Sequence, residues 1–469
     1  MTLRNLLLVS YHFPPFGGSG VQRAAKLARY LPDGGWRPFV LTAGHRHYPL
    51  HDPSLLDELP RDVVVAPVRG FEPGSMAAAL TDQLRVHRHT SRAVDALEDR
   101  LCWRLLAAVS ALHLPETELL WVPAAIWRAR RLIRQHRIEA VITTSPPSAA
   151  HLVGLHVKRR LRVPWIADLR DPITDNFSYK RTGSLADRFI HWLERASLHH
   201  ADQVVVTCPE FAERLRDRYP TLGADSIATI TNGFDPLDAP GRLSCFGNTA
   251  GPDQNELSPD AAGARFVLAH VGAFYREQSI VPLLEAVRAL RATRADIAQR
   301  LTVRIVGSIA ASQRSAIRPD DGVFLEYAGY RQHREAIRDM AQAQALLLTT
   351  PPNDGGRLCI PAKTFEYLAF GRHIISVVHP GTALVRILEK AGNATIVRHG
   401  DRAGLVRAIE SRIDAWLAGG REPARDLGAL EEFRRDYLAE RYARLVETCV
   451  DGPRSLRLAG DVQLAEEAA

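Results

Sequence analysis

The chain has 469 residues, 46% of them hydrophobic, with 60 basic and 53 acidic side chains and a net charge of +7. That length and apolar content can bury two full cores, so two domains are expected. Five cysteines (Cys102, Cys208, Cys245, Cys359, Cys449) are scattered without metal-ligand spacing, which suits a reducing cytosol. No run approaches the roughly 18 consecutive apolar residues of a membrane span, and Leu6–Val9 is too short for a signal-peptide core.

In chain order, Asn5–Ser10 reads as a first strand, followed by a Pro/Gly loop and a helix over Val21–Leu31. Strands are predicted near Pro38–Thr42 and Val63–Ala66. A helix-rich stretch of about 76–137 then interrupts the alternation, with an apolar strip through Leu101, Leu105, Val109 and Leu112. Alternation resumes at Ala140–Thr144, Trp165–Asp168, Gln203–Thr207 and Ile227–Thr231. Residues 236–263, rich in Gly, Pro, Asp, Asn and Ser, read as a linker with an insertion. The second half repeats the pattern with strands Phe266–Val271, Thr302–Val306, Val323–Tyr327, Ala345–Thr349, His373–Val378 and Ala394–Val397. A last periodic helix, Leu430–Val450, precedes a tail over 451–469. The fold class is therefore α/β: two Rossmann-like domains facing across a cleft, 1–235 and 264–429.

Three places carry candidate chemistry. The first is IPAKTFEYLAFGRHIISV, residues 360–377, preceded by Gly355 and Gly356. Pro361 is suited to open a helix. Lys363 and Glu366 then share one face of it, three residues apart. A helix tip with a lysine beside it suits a phosphate, and a carboxylate one turn on suits two vicinal hydroxyls, so together they describe a nucleotide. Only five of the basic residues are lysines (Lys26, Lys158, Lys180, Lys363, Lys390), which singles out Lys363. The plainer alternative is an exposed Lys–Glu pair on an ordinary helix.

The second place is the loop Tyr11–Gly20, where Gly17 and Gly18 allow an anion to approach the backbone ahead of a helix; otherwise it is a flexible loop over the cleft. A dinucleotide fingerprint fails, because Arg23 stands where its third glycine belongs and Thr42 where a ribose-binding acid would end the second strand. The third is Asp168-Leu169-Arg170-Asp171, at the carboxyl end of a predicted parallel strand. Asp168 or Asp171 would orient a hydroxyl or take its proton, and Arg170 would hold a carboxylate or a phosphate; the alternative is a strand-end capping network. The local histidine pairs (45/47, 87/89, 199/200) read as surface residues, and no metal site, Walker loop or nucleophile elbow is found.

The order of SYHFPPFGGSG, ITTSPPSAAHLVG, VPWIADLRDP, TNGFD, LAHVGAFY and IPAKTFEYLAFGRHII resembles the GT-B glycosyltransferases of the broad retaining group classed as family 4. The resemblance implies transfer of a sugar from a nucleotide diphosphate donor to a hydroxyl acceptor, with no cofactor and no metal. It implies that Glu366 binds the donor ribose and that Gly355, Gly356 and Gly272 lie near the donor. It also implies that residues 430–450 cross back to the first domain, as the terminal helix does in this fold. The chain departs from the pattern at Leu358, where many relatives carry a second Glu, and after Gly272, where the usual Arg and Lys are absent; Lys363 or Arg276 would supply that charge. The leaving diphosphate then draws on Lys363, and Asp168, Arg170 and Asp171 serve the acceptor. A sugar-nucleotide binder without activity, or an NAD-dependent oxidoreductase, are the alternatives.

Two basic clusters, Arg128–Arg137 and Lys158–Arg162, fall in the first half, the former just after the apolar stretch around Trp103. They suit an anionic membrane surface and a lipid-linked acceptor, as in bacterial surface-polysaccharide synthesis, with the protein cytoplasmic or peripheral at the inner face. No nucleic-acid partner is expected. Ordinary solvated faces are the alternative.

Overall fold

A computed structural model describes residues 3–44, 50–70, 104, 115–176, 183–238, 264–274, 278–419 and 428–452. It divides into two units. Unit 1 takes Met1–Thr207, Ala212–Ile230 and Ala439–Ala469, and unit 2 takes Cys208–Phe211 and Thr231–Leu438.

Unit 1 is built on a seven-stranded parallel sheet: β1 (Arg4–Ser10), β2 (Trp36–Ala43), β3 (Val64–Val68), β4 (Ala140–Ser145), β5 (Trp165–Leu169), β6 (Gln203–Val206) and β7 (Ile227–Thr229). Its order is β3-β2-β1-β4-β5-β6-β7, so the winding reverses between β1 and β4. Its helices are α1 (Ser19–Tyr30), α2 (Val122–His136), α3 (Ala150–Leu161) and α4 (Leu185–His200); α5 (Pro209–Arg218) begins in unit 2 and ends in unit 1. Both faces of the central strands are covered, which is why β4 and β5 are buried at every position and read as apolar runs without alternation. Close packing of α3 on β5 requires Gly154, where a Cβ would fall 2.1 Å from Trp165 Nε1.

Unit 2 carries a six-stranded parallel sheet: β8 (Phe266–Val271), β9 (Leu301–Val306), β10 (Leu325–Gly329), β11 (Ala345–Thr349), β12 (His373–Val378) and β13 (Ala394–Arg398). The order β10-β9-β8-β11-β12-β13 puts its reversal between β8 and β11. The helices are α6 (Val281–Thr293), α7 (Ala295–Arg300), α8 (Ala311–Arg314), α9 (His333–Gln342), α10 (Lys363–Phe370), α11 (Ala383–Ala391) and α12 (Arg402–Leu417). Phe266, Leu268, Val303 and Ile305 from the sheet meet Leu284, Val287, Ile409 and Ile413 from helices in one core. The last helix, α13 (Arg435–Asp451), starts in unit 2 and continues in unit 1 from Ala439.

Of the expected boundaries that move, three are informative. The strand expected at Val323 begins at Leu325, because Asp321 organises a preceding turn. Its carboxylate takes Arg288 Nε at 2.8 Å and the Arg318 amide at 2.8 Å, and Val323 is left 59% exposed. The helix expected from Leu430 is broken, because the Phe433 carbonyl accepts from the Phe234 amide (3.0 Å) and the Arg435 amide donates back to Phe234 (2.9 Å). Helix α10 opens at Lys363 rather than at Pro361. Of the stretch expected to be helical over 76–137, the described part is α2 and the turn Thr117–Trp121, with Arg104 alone upstream. Leu101, Trp103, Leu105, Val109 and Leu112 lie outside the described residues, as do Arg276, most of the linker and the tail beyond 452. Among the described residues no helix is long and apolar enough to cross a membrane.

Candidate active site

In open parallel sheets ligands sit beyond the carboxyl ends of the strands, at the reversal of winding. In unit 2 that is the end of β8 and of β11. The chain leaves β8 at Gly272, whose φ of +137° favours glycine; a Cβ there would fall 2.6 Å from Lys363 Nζ and displace the amine. Tyr367 of α10 ties the helix to this strand end: its hydroxyl accepts from the Val271 amide (2.8 Å) and donates to the Val271 carbonyl (3.3 Å). Lys363, the first residue of α10, thereby reaches the end of β8, where Nζ lies 3.0 Å from His270 Nε2. His270 is fully buried, and its Nδ1 lies 3.0 Å from the Leu347 carbonyl on β11. A carbonyl only accepts, so Nδ1 carries the proton and Nε2 receives a hydrogen bond from the lysine. Burial first, and the neighbouring amine second, hold the imidazole well below its ordinary range. Burial also pushes the Lys363 amine down to about 7, with Glu366 opposing.

Glu366, one turn further along α10, is half-buried, and among the described residues its carboxylate makes no hydrogen bond or ion pair. Lys363 and Glu366 are thus brought together, as expected, but the helix tip itself offers less than expected. The amides of Thr364 and Phe365 are taken by the carbonyls of Pro361 (2.9 Å) and Ala362 (3.3 Å) in a tight first turn. Positive charge at this site rests on the amine more than on free backbone N–H groups.

Beyond β11 the turn Asp354–Leu358 carries the glycine pair. Gly356 is buried, its amide donates to the Asn353 carbonyl (3.0 Å), and a Cβ there would fall 2.0 Å from the Pro351 carbonyl. Its demand is close packing, and its amide is spent within the turn; Gly355 is half-buried beside it. His379 Nε2 holds the same turn, 3.1 Å from the carbonyls of both Pro351 and Asn353. Leu358 is buried, with its carbonyl accepting from Cys208 Sγ at 3.3 Å.

In unit 1 the reversal lies between β1 and β4. Loop 11–18 is pinned rather than loose: the Gly17 amide donates to the Leu50 carbonyl (2.7 Å), and the Asp52 amide to the Pro15 carbonyl (2.9 Å). Gly18, at φ +94°, turns the chain into α1. Asp168 is 0% exposed, and its carboxylate accepts from Arg23 Nε (3.1 Å), Arg23 Nη2 (3.0 Å), Thr144 Oγ1 (2.7 Å) and the Tyr442 hydroxyl (2.7 Å). Burial alone would raise this carboxyl, but Arg23, Thr144 and Tyr442 hold it below its ordinary value. Arg170 is equally committed, donating to the carbonyls of Ser145 (2.6 Å), Pro146 (3.0 Å) and Gly20. Of the three residues, Asp168 and Arg170 hold the ends of β4 and β5 and the start of α1, whereas Asp171 is half-buried with no hydrogen bond or ion pair among the described residues. Burial raises the Asp171 carboxyl, with Arg170 opposing.

Sequence reasoning passed over His270, Arg23, Tyr367 and Tyr442. For His270 a signal existed: it is the one polar residue within the strand run Phe266–Val271. The Tyr442–Asp168 bond joins residues 274 positions apart, and no local pattern announces it.

Residues 74–233 match the family model described as Glycosyl transferase 4-like domain. No curated protein matches the chain. Among solved structures, the sucrose-phosphate synthase of Thermosynechococcus elongatus is similar at 14% identity and a TM-score of 0.58, over 99% of this chain and 100% of that one. WaaG, a glycosyltransferase involved in lipopolysaccharide biosynthesis, is similar at 12% identity and a TM-score of 0.55, over 96% and 100%. The UDP-forming α,α-trehalose-phosphate synthase of Burkholderia xenovorans follows at 13% and 0.57, over 94% and 100%. At such identities the likeness establishes the fold, two parallel-sheet α/β domains as in the GT-B glycosyltransferases.

Proposed function

We propose that the chain is a retaining glycosyltransferase moving a hexosyl or hexosaminyl group from a nucleotide diphosphate sugar to a hydroxyl acceptor. The observation that carries this reading is the pairing on α10 of a lysine amine and a carboxylate that has no partner among the described residues, beside the reversal point of unit 2. We assign the donor diphosphate to Lys363, the ribose hydroxyls to Glu366, and the close backbone approach to Gly272. The match of residues 74–233 to a glycosyl transferase 4-like domain supports the same reading from the other unit. In the proposed step the bond between the anomeric carbon and the diphosphate breaks and the acceptor oxygen bonds on the same face. The acceptor proton passes to the departing phosphate oxygen. Asp171, the carboxylate of its cluster with no partner among the described residues, is assigned to orienting the acceptor hydroxyl.

For the acceptor, a lipid-linked carrier at the cytoplasmic membrane face, within bacterial surface-polysaccharide or glycoconjugate synthesis, is supported by α2 and α3. These helices pack together, carry no acidic residue, and between them bear Arg130, Arg131, Arg134, Arg159 and Arg160; Arg131 lies 5.8 Å from the ring centroid of Trp127, which is 63% exposed. Among the described residues none of these five arginines is in a salt bridge. A sugar-nucleotide binder without turnover is favoured by Leu358, an apolar residue where the family pattern has an acid.

The test is a thermal-shift panel of UDP-, GDP- and dTDP-sugars with NAD(P), followed by donor hydrolysis and transfer assays. A nucleotide diphosphate sugar should raise Tm. A response to NAD(P) alone would overturn the reading, and binding without hydrolysis or transfer would select the inactive binder.

A further inference from the structure

The turn that follows β11 is short of backbone donors. Pro351 and Pro352 carry no N–H, and the Thr350 amide is spent on the Val377 carbonyl (3.2 Å). A side chain from outside the turn makes up the shortfall. His379 Nε2 lies 3.1 Å from the carbonyls of both Pro351 and Asn353. Carbonyls only accept, so Nε2 carries the proton and donates to both. The Asn353 carbonyl also takes the Gly356 amide (3.0 Å), so the histidine and the glycine pair meet on one oxygen. His379 is held in its turn. It follows β12 directly, its carbonyl accepts from Thr382 Oγ1 (3.1 Å), and its ring centroid lies 4.7 Å from that of His399. His399, next after β13, places Nε2 3.2 Å from the Oγ1 of the buried Thr350. The clamp thereby joins the carboxyl ends of β11, β12 and β13, the end of an open parallel sheet where ligands bind. Within the turn it holds, the Gly355 amide has no hydrogen-bond partner among the described residues, and no side chain shields it.

We propose that His379 is a positioning residue for the sugar of the donor. By tying the Pro351 and Asn353 carbonyls to the end of β12, it fixes the turn so that the Gly355 amide donates a hydrogen bond to a hydroxyl of the transferred sugar. The inference rests on the donor reading above, in which Lys363 takes the diphosphate and Glu366 the ribose, leaving the hydroxyls of the transferred sugar without an assigned partner. His379 itself touches no ligand, and no proton leaves it. What it contributes is preorganisation. An amide already fixed needs no ordering when the ligand arrives, whereas a turn with two prolines and no clamp would be ordered at the expense of binding.

The test compares the full wild-type chain with three variants. His379→Phe keeps a ring and loses the donor, His379→Asn is too short to reach the carbonyls, and His379→Gln carries an amide N–H in the place of Nε2–H. Backbone hydrogen exchange over residues 353–358, read by mass spectrometry, should quicken in the first two and return to the wild-type rate in the third. Calorimetry with UDP-, GDP- and dTDP-sugars and with the matching nucleoside diphosphates then separates positioning from simple support of the fold. The sugar nucleotide should bind about tenfold more weakly to His379→Phe and His379→Asn, as the loss of one hydrogen bond implies. The nucleoside diphosphate should bind all forms alike, and His379→Gln should recover the sugar nucleotide. Unchanged exchange in both loss variants, equal weakening of sugar nucleotide and nucleoside diphosphate, or no recovery with His379→Gln would each overturn the proposal and leave the donor reading standing. Failure of the wild type to bind any of the nucleotide diphosphate sugars would overturn both.

Discussion

Glu366 is the residue whose loss should be read most simply. Among the described residues its carboxylate has no hydrogen-bond or ion-pair partner to leave stranded, so Glu366→Ala should fold as the wild type does and lose only ligand contacts. We expect nucleotide binding to weaken by about 1.5–3 kcal/mol for each charge-assisted bond lost, measured by calorimetry with the nucleoside diphosphate; unchanged affinity would remove Glu366 from the donor site. Asp168 should behave in the opposite way. Removing it strands the buried Arg23, so Asp168→Ala should cost on the order of 3–5 kcal/mol of stability, read as a lower denaturant midpoint. The sign of the pH dependence follows from its lowered proton affinity. Its stabilisation is complete above the unfolded carboxyl value near ~3.9 and is lost as pH falls through the lower folded value. An acid titration of Tm should therefore show wild type and Asp168→Ala converging below that window, and a constant gap would contradict the ion pair. At this scale the sequence was partly legible. The juxtaposition of Lys363 and Glu366 could be read because a short helical spacing sets it, whereas Asp168 and Arg170 were left between site residues and a strand-end capping network because their partners arrive from other parts of the chain. Arg23 counted in the sequence only as a missing glycine; in the fold it is the counter-ion of Asp168.

Elements were more legible than residues. Each strand expected from hydrophobic runs appears, the central ones most plainly, since strands buried on both faces leave an apolar signature that needs no alternation. Their ends were less legible, because side-chain caps such as Asp321 and backbone bridges such as Phe234 with Arg434 decide them. The turn Asp354–Leu358 shows the consequence for function. Gly356→Ala would drive a Cβ against the Pro351 carbonyl, and we expect a loss of about 1–3 kcal/mol in stability, with weaker donor binding in what still folds. A fully stable variant would mean that the turn yields easily. The paired helices α2 and α3 make a separate prediction. Replacing Arg130, Arg131 and Arg134 by Glu should reduce sedimentation with anionic vesicles at low salt, by about 1 kcal/mol for each positive charge lost near the surface. Equal binding of the wild type to anionic and neutral vesicles would make these helices ordinary solvated faces.

Across the whole molecule, two α/β units divide the work we assign: unit 2 to the nucleotide sugar and unit 1 to the acceptor. The alternation of strands and helices is the trace in the sequence of the two parallel sheets. The return of α13 to unit 1 has its physical basis in Tyr442, which closes the Asp168–Arg23 network from a position near the end of the chain. The central claim is sugar transfer from a nucleotide diphosphate donor, and its most direct measurement is release of nucleoside diphosphate from a panel of UDP-, GDP- and dTDP-sugars, with Lys363→Met alongside. We predict that at least one donor is turned over, and that Lys363→Met lowers kcat more than it raises KM, because charge on the leaving diphosphate grows toward the transition state. No turnover of any donor by the folded wild-type chain, with or without added acceptors, would contradict the account.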